Sequence, residues 1–207
     1  VSLVEGEVKT TSDLFVIALP HWNELQSRTK NLLDAHHKQF PLRRGISREE
    51  LKSKLKLSSR VYNTVIAQLA KRNELVEVGS WVANAGHEIK FNEADQLKVK
   101  ELMRKFESNP YTAPSVKECQ SEVGEEIVNA LIELNELVAV SSDVVFRKRD
   151  YDEMKDKLRL TIQQKGQITL AEVRDLFGTT RKYAQALLEH LDSAGVTVRD
   201  GDFRRLK

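Results

Sequence analysis

Five consecutive residues near the C-terminus, Thr179, Thr180, Arg181, Lys182 and Tyr183, bring two threonine hydroxyls, two cations and a phenol ring to the start of a helical pattern. Arg199, Arg204 and Arg205 follow in a short alternating segment. Free amides at a helix start, with a threonine hydroxyl beside them, can hold one phosphate. Arg181 and Lys182 would add charge-assisted contacts. A strand arginine can fork onto phosphate or stack on a splayed base. The set suits a nucleic-acid backbone better than a small substrate. Plainer uses stand beside it: Thr179 or Thr180 reads equally as an N-cap, and Tyr183 equally as a core residue flanking Leu187. Arg181 with Arg204 is the pair on which the site reading mainly rests.

These residues need elements to hold them. The stretch GQITLAEVRDLFGTTRKYAQALLEHLDSAGVTVRDGDFRRLK reads as a short strand at Ile168, a capping box from Thr169 to Glu172, and a helix. A tight turn, a second helix and a hairpin turning at Asp200-Gly201 follow. Ala184, Leu187, Leu188 and Leu191 are spaced as the second helix's core face, and Gly178 and Gly195 sit where helices close. With the helical segment from Asp150 to Gln164 ahead of it, the whole is three helices and a terminal hairpin, a winged helix-turn-helix.

The same unit recurs at roughly 60 residues. Pro20 opens a helix with Leu25, Thr29, Leu32, Leu33 and His36 on one stripe, ending near Phe40-Pro41. Ser47 and Glu50 cap a short helix, Ser58 and Ser59 cap the next, and LVEV-GS-WVA reads as a hairpin. From Asn92 a long helix, a shorter one opened by Ser115, and one after Gly124 lead to the hairpin LVAV-SSD-VVF. The phrases NELVEV, NELVAV and SAGVTV each mark a helix end turning into the first wing strand. The expected fold class is mainly α with small β-hairpins, as tandem winged helix-turn-helix modules at 21–88, 89–149 and 150–207. Residues 1–20, with runs Leu3–Val8 and Leu14–Ala18 around Thr11–Asp13, read as the wing remnant of a first module. The chain opens at Val1 partway through such a run, as a piece of a longer protein would.

Comparing the copies locates the site. The third helix usually reads the groove. It opens S-S-R-V-Y at Ser58, V-G-E-E-I at Val123 and T-T-R-K-Y at Thr179. Glu125 and Glu126 would repel phosphate. The wing from Glu77 to Ala83 carries no cation, whereas the last wing carries Arg199, Arg204, Arg205 and Lys207. The terminal module alone has cations on both helix start and wing.

Bulk composition excludes more than it proposes. With 33 Lys+Arg against 31 Asp+Glu the net charge is +2, so a nucleic-acid site must be a local patch. One cysteine, Cys119, rules out an internal disulfide and fits a reducing compartment. His36-His37, His87 and His190 show no metal-ligand spacing, no nucleotide or nucleophile motif occurs, and no apolar run approaches a membrane span. Arg147-Lys148-Arg149 reads as a solvated linker, with an auxiliary phosphate contact second. The expectation is a non-enzyme without cofactor or metal, cytoplasmic, off the membrane and monomeric.

The last module resembles the C-terminal domain of the bacterial selenocysteine-specific elongation factor (SelB) family, on D-L-F-G-T-T-R-K-Y, L-L-E-H-L-D and G-D-F-R. Upstream, F-P-L-R-R-G-I-S-R-E-E-L with S-S-R-V-Y looks like that region's second winged helix, and A-P-S-V-K-E like its third. The resemblance implies four tandem winged helices following a GTPase, the last of which binds the selenocysteine insertion (SECIS) hairpin of messenger RNA. It implicates Thr179, Thr180, Arg181, Lys182, Tyr183 and Arg204; Arg199 and Arg205 are added from charge. It also implies recoding at UGA and a ribosome reached through the full-length, GTP-binding protein. A DNA-binding regulator and a protein-interaction array are the alternatives.

Overall fold

A computed structural model describes the backbone of Ser2–Leu3 and residues 16–207 in full. Strands β1 (Ser2–Leu3) and β2 (Val16–Ile17) pair antiparallel, Ser2 opposite Ile17. The remainder of the expected opening wing lies outside the described residues. The chain divides into two compact units, 1–90 and 91–207. The expected boundary near 89 falls at that division. The one at 150 falls inside the second unit, whose two modules pack as one body.

In the first unit, α1 (Leu19–Gln39) has Pro20 in its first turn and buries Trp22, Thr29, Leu33 and His36, close to the expected stripe. Leu25 and Leu32 flank it, partly buried. Helix α2 (Arg48–Leu55) is capped by Ser47, whose Oγ accepts the Glu50 amide at 3.2 Å. Helix α3 (Ser59–Lys71) buries Tyr62, Val65, Ile66 and Leu69, the spacing of one helical face. Strand β3 (Ile46–Ser47), which the sequence reading does not include, joins β5 (Trp81–Asn84) and β4 (Leu75–Val78) in the order β3-β5-β4. Gly45 leads into it because a Cβ there would meet the Val82 carbonyl oxygen at 2.4 Å.

In the second unit, α4 (Glu93–Ser108) buries Leu102 and Phe106 while Leu97 stands exposed. Helices α5 (Val116–Val123) and α6 (Glu125–Glu133) meet at Gly124, and β6 (Leu137–Ala139) pairs with β7 (Val145–Arg147). Strand β7 runs straight into α7 (Lys148–Lys165), so no linker separates the modules. Arg147 instead forks onto Asp150 at 2.9 Å and reaches Glu107 at 2.7 Å, which corrects the solvated-linker reading. Strand β8 (Ile168–Thr169), α8 (Leu170–Phe177), α9 (Arg181–Ser193), β9 (Thr197–Asp200) and β10 (Phe203–Leu206) complete the chain. Their sheet order is β8-β10-β9. The wing's two-residue turn is Gly201-Asp202, one residue later than expected, with Gly201 at φ +62°.

The recurring phrases have one physical cause. Asn73, Asn135 and Gly195 take φ +56°, +63° and +70°, closing α3, α6 and α9. The next residue's amide then bonds back to Leu69, Leu131 and Leu191, the pattern of a left-handed helix cap.

A candidate nucleic-acid interface on the terminal module

Thr169 and Glu172 cap α8 reciprocally: Thr169 Oγ1 accepts the Glu172 amide at 3.2 Å, and the Glu172 carboxylate accepts the Thr169 amide at 2.8 Å. The Thr169 amide, then Lys165 and the Thr169 hydroxyl, hold the Glu172 carboxyl below its ordinary pKa. Gly178, at φ +57°, ends α8 and turns the chain toward α9. Ala184, Leu187, Leu188 and Leu191 are buried, so the opposite face of α9 points outward as the spacing requires. The first helical bond runs from the Ala184 amide to the Thr180 carbonyl at 3.1 Å. The amides of Arg181, Lys182 and Tyr183 therefore precede the ladder as the helix's orphan donors. Thr180 is exposed, and its hydroxyl caps nothing.

Arg181 is exposed, and among the described residues it makes no ion pair or hydrogen bond. It stands where two hollows meet. One, of about 310 Å³, is lined by Thr169, Leu170, Ala171, Arg174, Arg181 and Asp202. The other, of about 160 Å³, runs from Arg181 past Gln185 and Glu189 to Arg199, Asp202 and Arg204. Together they form a groove between the α8 start, the α9 start and the wing. Arg174 also lines the first hollow and is a candidate that the sequence reading does not include. Its guanidinium holds Asp175 at 2.7 Å, and only the packing of α8 on α9 brings it beside Arg181.

The remaining expected residues divide by strand register and by partner. Arg204 lies opposite Arg199, and Arg205 opposite Val198. Side chains alternate across a strand, so Arg199 and Arg204 share the groove face while Arg205 belongs to the other face with exposed Val198 and Phe203. Arg199 bonds the Gly201 carbonyl at 3.0 Å and stays exposed. Arg204 is 7% exposed, with Nε donating to Asp192 at 2.8 Å. Asp192 also accepts the Thr197 hydroxyl at 2.6 Å, so Arg204 braces the wing against the end of α9. Arg205 reaches Asp200 at 3.1 Å and Gln167 at 3.3 Å.

Three residues of the quintet face the middle module. The buried Thr179 donates its hydroxyl to the Tyr111 carbonyl. Tyr183 donates to the Ala113 carbonyl at 2.5 Å, and burial raises its pKa. Lys182 is paired with Asp143, which raises its pKa. Both threonines were candidate caps and both were candidate contacts; Thr179 is neither free nor a side-chain cap. Tyr183 is half-buried, and its counterpart Tyr62 is fully so, which favours the packing role in both. Of the eight residues, Arg181 and Arg199 line the groove and face solvent, Thr180 is exposed at the head of α9, Arg204 lines the groove as a strut, and Arg205 lies on the other face. Glu125 and Glu126 stand exposed at the head of α6, and Glu77 is tied to Arg48 in the first unit, so neither sister module repeats this arrangement.

No described helix is long and apolar enough to cross a membrane, and the described residues hold no cluster of metal-ligating side chains. Burial pushes the Cys119 thiol up to about 11, so it stays protonated at neutral pH.

Residues 31–83 and 160–206 match the family models described as the second and third winged helix of elongation factor SelB. A selenocysteine-specific elongation factor of Desulfomicrobium baculatum is 26% identical over 184 residues, 84% of this chain and 29% of that protein. Its counterpart in Haemophilus influenzae is 22% identical over 191 residues, 87% and 31% respectively. The chain thus spans about three-tenths of the length of these curated relatives. The crystal structure of a bacterial selenocysteine-specific elongation factor, EF-Sec, superposes with TM-score 0.51 at 19% identity over 91% of this chain and 30% of its own, which supports the fold. The mRNA-binding domain of E. coli SelB, solved in complex with SECIS RNA, gives TM-score 0.47 at 24% identity over 56% of this chain and 99% of its own.

Proposed function

We propose, for a chain that belongs to the winged-helix region of the SelB elongation-factor family, that the terminal module binds a SECIS-type messenger RNA hairpin. The modules ahead of it act as a spacer to the GTPase portion of a longer factor working at the ribosome. The observation that carries this reading is the groove around Arg181. A guanidinium that is unpaired among the described residues stands next to orphan helix amides, with Arg174 and Arg199 also lining the groove. Amides and Thr180 would hold one phosphate, and Arg181 a second phosphate or a base edge. The hollow there is lined by apolar Leu170 and Ala171 together with polar Thr169, Arg174, Arg181 and Asp202. The fragment binds and does not catalyse; it calls on no cofactor or metal, and works as a cytoplasmic monomer.

The test is a titration of the whole chain with a SECIS-type hairpin, a DNA duplex of matching sequence and an unrelated RNA, at two salt concentrations. The hairpin should bind tightest. Neutralising a few phosphates should lower its affinity with a log–log salt slope of roughly −0.7 to −0.9 per contact. Tight binding to the duplex alone would make this a DNA-binding module. Binding to none would leave a protein-interaction array.

A further inference from the structure

We propose that Asp143, supplied by the middle module, is a specificity-determining residue of the terminal module: its carboxylate occupies Lys182 and withholds that cation from phosphates outside the cognate hairpin. The inference rests on the RNA-binding reading above. Of the two adjacent cations at the α9 start, Arg181 opens onto the groove and Lys182 turns to Asp143. Both ends of the pair are held. Lys182 lies between Thr179, bonded to the Tyr111 carbonyl, and Tyr183, bonded to the Ala113 carbonyl at 2.5 Å. Asp143 sits in the β6–β7 turn, its amide 3.3 Å from Ser141 Oγ and its carbonyl accepting the Val116 amide at 3.1 Å. The groups facing the ammonium are Asp143, Glu118 and the Tyr183 ring, so this side of the helix start is anionic.

A carboxylate on a lysine makes the contact a phosphate oxygen would make. The two side chains are 48% and 43% exposed, so a polyanion can reach and exchange them. A strand anchored through Arg181 and the groove has enough other contacts to displace the carboxylate; a loosely held one does not. The first unit has no such device to need, since Val61 stands where Lys182 does.

The experiment compares the parent chain, Asp143→Asn, Lys182→Ala and the double variant, each with matched thermal melting, on unrelated single-stranded RNA and on the hairpin. Asp143→Asn should raise affinity for unrelated RNA roughly three- to tenfold at low salt and steepen its salt slope by about one, as one added phosphate contact does. Hairpin affinity should rise less, narrowing the specificity ratio. In the Lys182→Ala background the gain should vanish. A gain that persists there reduces the effect to net charge and overturns the proposal, as does the absence of any gain in the parent. The hairpin arm judges the underlying reading separately. A parent that binds hairpin and unrelated RNA alike would remove the hairpin specificity, while a gain dependent on Lys182 would still establish the hold of Asp143 on that cation.

Discussion

At the scale of single residues, two arginines that look interchangeable in the sequence have different work. Arg181 is exposed and unpaired among the described residues, while Arg204 is buried and bonded to Asp192. Arg181→Ala should leave the melting temperature unchanged and weaken hairpin binding by about 1–3 kcal/mol if it reads a base, or flatten the salt slope if it holds phosphate. Arg204→Ala should do the reverse. It leaves Asp192 without its guanidinium partner and should cost about 1–3 kcal/mol of unfolding free energy. Equal effects of both on binding, with none on stability, would return Arg204 to the list of direct contacts. The histidines, set aside as metal ligands, show a different behaviour. His37 Nε2 accepts the Asn84 amide at 3.2 Å, its buried Nδ1 has no partner among the described residues, and its ring stacks on His87 at 3.5 Å. Burial, then His87 and His36, lower its pKa to about 4. The unfolded chain therefore takes up this proton first, and its stabilising contribution is complete above about pH 6.5 and lost as pH falls toward 4. Melting of the first unit should drop across that window, and His37→Gln should remove most of its share of the drop. A parallel decline in the variant would assign it to other groups, His36 among them.

At the scale of elements, the start of α9 is a joint between modules as well as one wall of the candidate groove. Thr179, Lys182 and Tyr183 fasten it to the middle module, and Arg181 alone of the four residues from Thr179 to Tyr183 other than Thr180 is left for the groove. Tyr111 strengthens the joint, with its ring 5.3 Å from Phe177 and its hydroxyl 2.9 Å from Glu153. Tyr183→Phe keeps the shape and removes one donor from the buried Ala113 carbonyl. It should cost about 0.5–1.5 kcal/mol in denaturant unfolding of the second unit. An unchanged midpoint would mean that packing alone holds the joint. The sister elements clarify the wing as well. Leu75 and Leu137 are buried where the terminal module has Thr197, and that hydroxyl completes the Asp192–Arg204 network. A cationic wing thus comes with its own internal brace.

At the scale of the whole molecule, the module plan was legible because each element signals itself locally. Apolar spacing, caps at Ser47, Ser115 and Thr169, and the left-handed residues Asn73, Asn135 and Gly195 are all short-range features. The winged-helix class, most of the order of elements and the cationic character of the terminal module are written in local sequence, as is the pairing of Arg181 with Arg204, of which the fold leaves only Arg181 exposed. Only the tertiary structure decided how the last two modules join, and with that join which cations remain available. Tyr111 and Ala113 lie some seventy positions from Thr179 and Tyr183, and Asp143 stands in the hairpin turn of another module from the helix that carries Lys182. No local pattern carries such a pairing, because a backbone carbonyl or a turn carboxylate looks the same in sequence whatever faces it. Whether a cation is free for phosphate depends on which anion the packing brings within reach.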